Sequence, residues 1–214
     1  MSAVDLLRAD LQLVISLVPE GSRVLDLGCG DGSLMAHLRD ERGCDVRGIE
    51  LAPEEIAAAL GRGLSVIQAD LDAGLVGYPD GAFDVVVLSQ TIQVMRNPAL
   101  VLREMLRVGE RGIVTFPNFG HWRVRGYLAF KGRMPVSESI PFSWYDTPNI
   151  HHTTLKDFRE FVSANGGQIE REIPLSAGEW RQEIREVRFW PNLLADTAVA
   201  VVRAKDQASS ESPA

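Results

Sequence analysis

From residue 23 onward, short apolar runs alternate with helix-length amphipathic segments. Runs rich in Val, Ile, Leu or Phe occupy 23–27, 45–50, 65–68, 83–88 and 112–116 and read as strands. Helix candidates lie between them at 33–40, 53–60 and 98–108. The last two open with a proline, whose fixed φ suits a first helical turn and whose missing N–H would have had no partner there. Strands and helices in this order predict a parallel sheet with helices on both faces. The stretch 119–149 breaks the rhythm: it has no clear period and holds Trp122, Tyr127, Phe130, Phe142, Trp144 and Tyr145 among prolines and glycines. It reads as an insertion or lid. Regularity returns with an amphipathic helix at 154–165, stopped by Gly166 and Gly167, and with strands at 168–174 and 197–203. The expected sheet therefore has seven strands.

At 214 residues, the chain is long enough for one domain with its own core, expected over 1–204 with 119–150 as the insertion. The tail at 205–214 is small and polar, and too poor in apolar groups to offset the entropy of ordering. Apolar residues make up 45% and charged residues 24%, an ordinary composition for a water-soluble globular protein. A net charge of −7 gives a phosphate backbone little to hold, so small molecules or proteins are better ligands than nucleic acid. Cys29 and Cys44 stand 15 residues apart, with no CxxC pair and no clustered histidines. Neither a metal site nor a disulfide is expected, and reduced thiols fit the cytoplasm. The N-terminus lacks a basic leader, and no 18 apolar residues run together, so neither export nor a membrane span is expected.

The stretch VLDLGCGDG, residues 24–32, runs from a strand into three glycines. Such a turn sets backbone N–H groups and the positive end of a helix beside a ligand. No lysine follows as in a P-loop, and Ser33 stands where the third glycine of a dinucleotide fingerprint belongs. The spacing GxGxG resembles instead the first motif of class I S-adenosylmethionine-dependent methyltransferases. Glu50, followed by Leu51, ends the second strand 20 residues after Gly30, where that resemblance implies a carboxylate accepting both ribose hydroxyls. Asp70, in QADLD, matches the acid that takes the adenine amino group, with Leu71 beside the ring, and Asp26 matches the acid that orients the turn and the methionyl ammonium. The fourth strand, FDVVVLSQ, completes the set with Ser89 and Gln90. The expected ligand contacts are thus Asp26, Gly28, Gly30, Gly32, Glu50, Leu51, Asp70, Leu71, Ser89 and Gln90. Taken singly, the turn reads equally as a tight corner and each acid as a helix cap.

Methyl transfer needs alignment and, for a weak nucleophile, a base. Groups at the carboxyl ends of the fourth and fifth strands are Gln90, Gln93, Asn118 and His121, joined by His151 and His152 from the loop before the next helix. Only His121, His151 and His152 titrate near neutrality, and the last two also read as shaping the start of that helix. SQTIQV lacks the Asn-Pro-Pro-Tyr type of signature used on bases. The aromatic insertion carries Arg123, Arg125, Lys131 and Arg133, a composition that suits a lid, a partner surface or a small local core.

Taken together, VLDLGCGDGSLMAHL, GIEL, QADLD, FDVVVLSQTIQVMRNP, TFPNFGHWRVR and PVSESIPFSWYDTPNIHHTT resemble the MetW family of methionine-biosynthesis proteins over nearly the whole chain. The resemblance implies a Rossmann-like class I methyltransferase fold, seven-stranded and mostly parallel with an antiparallel last strand. It also implies a cytoplasmic accessory protein that binds and supports a homoserine O-acyltransferase. An S-adenosylmethionine or S-adenosylhomocysteine site would then serve feedback sensing; the alternative is a methyltransferase acting on a small molecule.

Overall fold

The computed structural model describes residues 9–136, 140, 142–177 and 184–205. The tail expected at 205–214 lies outside these, apart from Lys205, whose N–H donates to the Gly166 carbonyl at 2.9 Å. Among the described residues, eight strands form one sheet: β1 (Arg23–Leu27), β2 (Asp45–Glu50), β3 (Ser65–Gln68), β4 (Phe83–Ser89), β5 (Gly109–Pro117), β6 (Gly167–Ala177), β7 (Ile184–Glu186) and β8 (Thr197–Ala204), in spatial order β3-β2-β1-β4-β5-β8-β6-β7. The first five run parallel, and β8 lies antiparallel between β5 and β6. The antiparallel last strand is as expected; the count of seven is corrected to eight. The addition is β7, three residues paired antiparallel with the end of β6. Three residues are too few to show alternation, which is why the pattern of the chain did not reveal it.

The helices are α1 (Ala9–Leu17), α2 (Ser33–Arg42), α3 (Pro53–Gly61), α4 (Pro98–Val108), α5 (Trp122–Lys131), α6 (Leu155–Ala164) and α7 (Pro191–Leu194). Within β4, Val85 and Val87 face a layer containing Val14 of α1 and Met35 of α2, while Val86 and Leu88 face Leu102 and Met105 of α4 and Phe158 of α6. Burial on both faces accounts for the nearly unbroken apolar run of that strand. α5 sits inside the stretch that had no readable period. Its only buried side chain is Val124, so its apolar residues make no stripe for a periodicity to report. His121 opens it, and Gly132, in the left-handed conformation at φ 61°, closes it.

From β1 the chain winds outward to β2 and β3, then returns to the other side of β1 for β4 and β5. The order of the strands reverses between β1 and β4, which opens a crevice at their carboxyl ends. The glycine turn leaves β1 at that point.

Candidate functional site

Gly28, Gly30 and Gly32 all have positive φ, at 70°, 53° and 77°. They differ in what a side chain would meet. A Cβ on Gly28 would lie 2.9 Å from Thr91, and one on Gly32 would lie 2.4 Å from Leu64 and 3.1 Å from Ala59. These two glycines let the turn press against the fold. A Cβ on Gly30 would meet nothing nearer than Glu55 at 3.8 Å, so the bare face of Gly30 is open to a ligand. The expectation of unpaired N–H groups is corrected for most of the turn. Gly28 and Cys29 donate to the Ile49 carbonyl at 2.8 and 3.2 Å, Gly32 donates to the Cys29 carbonyl, and Ser33 donates to the Asp31 carboxylate. A turn that spends its donors internally suits a ligand without phosphate.

Glu50 binds this turn directly. Its Oε2 accepts the Gly30 N–H at 2.9 Å, and its Oε1 accepts those of Leu51 at 2.7 Å and Ala52 at 3.1 Å. A carboxylate offers about four acceptor positions, so some capacity remains for a hydroxyl. The Glu50 carbonyl accepts the Ala69 N–H at 3.1 Å, which holds the Asp70 segment alongside. Asp70 is exposed and caps the single helical turn Leu71–Ala73 by accepting the Asp72 N–H at one carboxylate oxygen, while the Leu71 side chain is buried in the core. Leu51 is exposed. Asp26 is buried in β1, in register between Gly48 and Val87.

At the end of β4, Gln90 has φ 52°, a left-handed conformation that a non-glycine residue adopts at a cost. Thr115 of β5 holds it there, accepting the Gln90 N–H at both its hydroxyl and its carbonyl, each at 3.0 Å. The Thr115 hydroxyl also lies 3.2 Å from Ser89 Oγ and 3.4 Å from the carboxylate of Asp10 on α1, a buried acid. Thr91, Thr115, Asp10 and Asp31 all support this rim and were not singled out from the sequence. Burial pushes the Asp31 carboxyl up, but hydrogen bonds from Ser33 and the Arg62 guanidinium outweigh it and hold Asp31 below the usual carboxylate range. Around Cys29, burial and the nearby Asp26 and Glu50 push the thiol up to about 12.

The candidate catalytic groups collect at the ends of β4 and β5. The Gln93 carbonyl accepts the N–H groups of Ile150 and His151, each at 3.0 Å, and its amide nitrogen donates to the Gln90 carbonyl at 2.8 Å. Gln93 Oε1 is buried without a partner. Asn118 is fully committed: its Nδ2 donates to the carbonyls of Asn192 at 3.2 Å and Ala195 at 2.6 Å, and its Oδ1 accepts the Gly120 N–H. His121 is buried and caps α5 by accepting the Arg123 N–H at Nδ1. Burial, followed by the Arg123 charge, lowers its pKa, so the ring is neutral at pH 7. His151 and His152 are exposed; the His152 ring packs edge-on against Phe119, and the cap of α6 belongs to Thr154 in a reciprocal pair with Asp157. Two concavities, about 200 and 270 Å³, lie elsewhere and are lined by none of these residues.

Among solved structures, the chain is similar to a methyltransferase from Thermotoga maritima, described as a possible histamine N-methyltransferase, at TM-score 0.66 and 18% identity over 92% of this chain and 87% of that one. It is also similar to the magnesium protoporphyrin IX methyltransferase of Synechocystis with bound SAH, at TM-score 0.62 and 16% identity over 92% and 83%. Identities this low establish the shared fold, a Rossmann-like class I methyltransferase fold. In sequence, the chain is 36% identical over 202 residues, 90% of its length, to the bifunctional methionine biosynthesis protein MetXA/MetW of Rhodopirellula baltica. It spans about a third, 32%, of the length of that relative. The family model described as methionine biosynthesis protein MetW matches residues 8–202, a span that takes in the glycine turn, Glu50 and the aromatic stretch alike; the chain belongs to the MetW family of methionine-biosynthesis proteins.

Proposed function

We propose that this protein is the accessory partner of a homoserine O-acyltransferase and binds S-adenosylmethionine or S-adenosylhomocysteine on the rim formed by the glycine turn. The observation that carries the partner is the Rhodopirellula relative, which joins a MetXA part and a MetW part in one polypeptide. On this reading the MetXA part is the acyltransferase, and the two parts act side by side. The ligand half rests on the open face of Gly30, on the Glu50 carboxylate at the end of β2 and on the exposed carboxylate of Asp70. Asp26, Gly28, Gly32, Leu51, Leu71, Ser89 and Gln90 shape the same edge. The bound molecule would carry an activated methyl group when it is S-adenosylmethionine. Sitting at the end of a methionine-forming route, the site then acts as a feedback sensor.

Two experiments on purified protein test the two halves. Calorimetric titration with S-adenosylmethionine and S-adenosylhomocysteine is expected to give saturable binding of each. Gel filtration with the homoserine O-acyltransferase of the same genome is expected to give a joint peak. Failure of either removes that half of the proposal. Methyl transfer to a small molecule is the second reading, favoured by one observation: His121, kept neutral by its lowered pKa, stands just after β5, where it serves as a base once its Nδ1 releases the Arg123 N–H. Steady release of S-adenosylhomocysteine from S-adenosylmethionine in the presence of candidate acceptors, abolished in His121→Gln, would establish it.

A further inference from the structure

Aromatic residues of small proteins usually lie inside, yet the insertion turns its aromatics outward. Trp122, Phe130, Trp144 and Tyr145 are all exposed, Phe130 to 89% and Trp144 to 75%, and so are Phe189 and Trp190 before α7. The small core of this region consists of Phe119, Val124 and Ile140, so these six side chains contribute nothing to it. The three segments that carry them meet at the end of β5. Asn118 ties the α7 turn through Asn192 and Ala195, Phe119 donates to the Thr153 carbonyl, and Val124 of α5 packs on Ile140. Trp190 stands in the left-handed region at φ 45°, a strained backbone for a bulky side chain that remains 75% exposed. A strained backbone under an exposed tryptophan is the kind of outlier that clusters at binding surfaces and switch regions.

The charges around these residues indicate what does. Residues 119–136 carry Arg123, Arg125, Lys131 and Arg133 and no carboxylate, 188–194 add Arg188, and 142–150 hold one carboxylate, Asp146, in a chain whose net charge is −7. Arg123 lies over the Trp122 ring, 5.5 Å from its centroid. Aromatic anchors set among arginines are the usual make-up of an interface hot spot. An enclosed aromatic side chain buries about 150–250 Å², so these six, exposed on average to roughly three-quarters, offer about 660–1,100 Å², the order of the roughly 800 Å² per partner of a standard interface. We infer that α5, residues 142–150 and the turn at 188–194 form the surface on which the homoserine O-acyltransferase docks, through apolar recesses on that enzyme rimmed by carboxylates. The inference rests on the proposed function for the identity of the partner. The surface adjoins the rim, since Gln93, which accepts from Ile150 and His151, also donates to Gln90.

The test measures the affinity of the full chain for the acyltransferase of the same genome by calorimetry. Wild type is compared with Phe130→Ala, with Trp144→Ala and with the double reversal of Lys131→Glu and Arg133→Glu. Val76→Ala, an exposed apolar residue before β4, serves as control. Each test variant is expected to lose at least tenfold in affinity with its thermal midpoint and S-adenosylmethionine binding retained, while Val76→Ala behaves as wild type. Wild-type affinity in all three test variants overturns the surface and leaves the proposed function standing. No binding by the wild-type chain overturns the partner itself. A homodimer of the chain alone that Trp144→Ala dissociates gives the surface to a second copy and overturns the assignment to the acyltransferase.

Discussion

Replacing Glu50 by alanine removes two roles at once, and the structure separates their sizes. In the free protein the carboxylate accepts three backbone N–H groups, from Gly30, Leu51 and Ala52. Leu51 is exposed, so water can replace its bond, and the part-buried Ala52 N–H makes the longest of the three at 3.1 Å, whereas the Gly30 N–H is held at 2.9 Å in a part-buried turn. The net loss is therefore close to one hydrogen bond to a charged group, about 1.5–3 kcal/mol. In a chain of 214 residues this lowers the thermal midpoint by roughly 3–12 °C. The second role appears only with ligand. At a concentration 100 times its Kd, S-adenosylmethionine stabilises the wild type by about 2.7 kcal/mol. Losing ribose contacts worth about 1.5–3 kcal/mol raises Kd roughly 10- to 150-fold, so the same ligand concentration stabilises Glu50→Ala by only about 0.3–1.4 kcal/mol. Thermal melts with and without ligand, backed by calorimetry, read both. An unchanged midpoint in the free variant refutes the grip on the turn; an undiminished ligand effect refutes the ribose assignment.

Other substitutions probe the remaining parts. Gly32→Ala places a Cβ at φ 77° within 2.4 Å of Leu64 and is expected to cost about 2–4 kcal/mol in chemical denaturation, from backbone strain and overpacking together; a cost below about 1 kcal/mol, less than the backbone strain alone, would show that the turn yields easily. The Cys29 thiol, buried and pushed up to about 12, should react with a thiol reagent at pH 8 far more slowly than in unfolded protein, and more slowly still with S-adenosylhomocysteine bound; rapid labelling of native protein would contradict this. His121 has a folded pKa below its ordinary 6.5, so the unfolded chain takes up the proton first. Its share of stability is full above pH 6.5 and is lost as pH falls toward the folded pKa. His121→Gln should flatten the slope of stability against pH just below 6.5, and an unchanged slope would remove His121 as its source.

Much of the fold was readable because β1, β4 and most of β5 are buried on both faces and their apolar runs are therefore dense. Val85 to Leu88 send alternate side chains into opposite layers, and no polar residue interrupts them. β5 extends beyond the expected 112–116 because its polar start, Gly109 to Arg111, still pairs with β4; a Cβ on Gly109 would lie 2.5 Å from Val86. α5 was hidden for the opposite reason, since a helix with one buried side chain leaves no amphipathic trace. The glycines, Glu50 and Asp70 were singled out because they resemble the class I methyltransferase motifs. The grip of Glu50 on Gly30 could not be read in this way, because its partner is a backbone N–H that residue types do not record. Thr115 and Asp10 stayed hidden because they are 105 residues apart in the chain and meet only after α1 folds over the end of β5.

The accessory role is decided most directly by the rate of homoserine acylation. The acyltransferase of the same genome is assayed alone, then with this protein in equimolar amount, then with S-adenosylmethionine titrated into the mixture. The expected result is a large rise in rate on adding the protein and a saturable response to the ligand that Glu50→Ala blunts. An acyltransferase equally active with and without this protein, and indifferent to the ligand, would contradict the role.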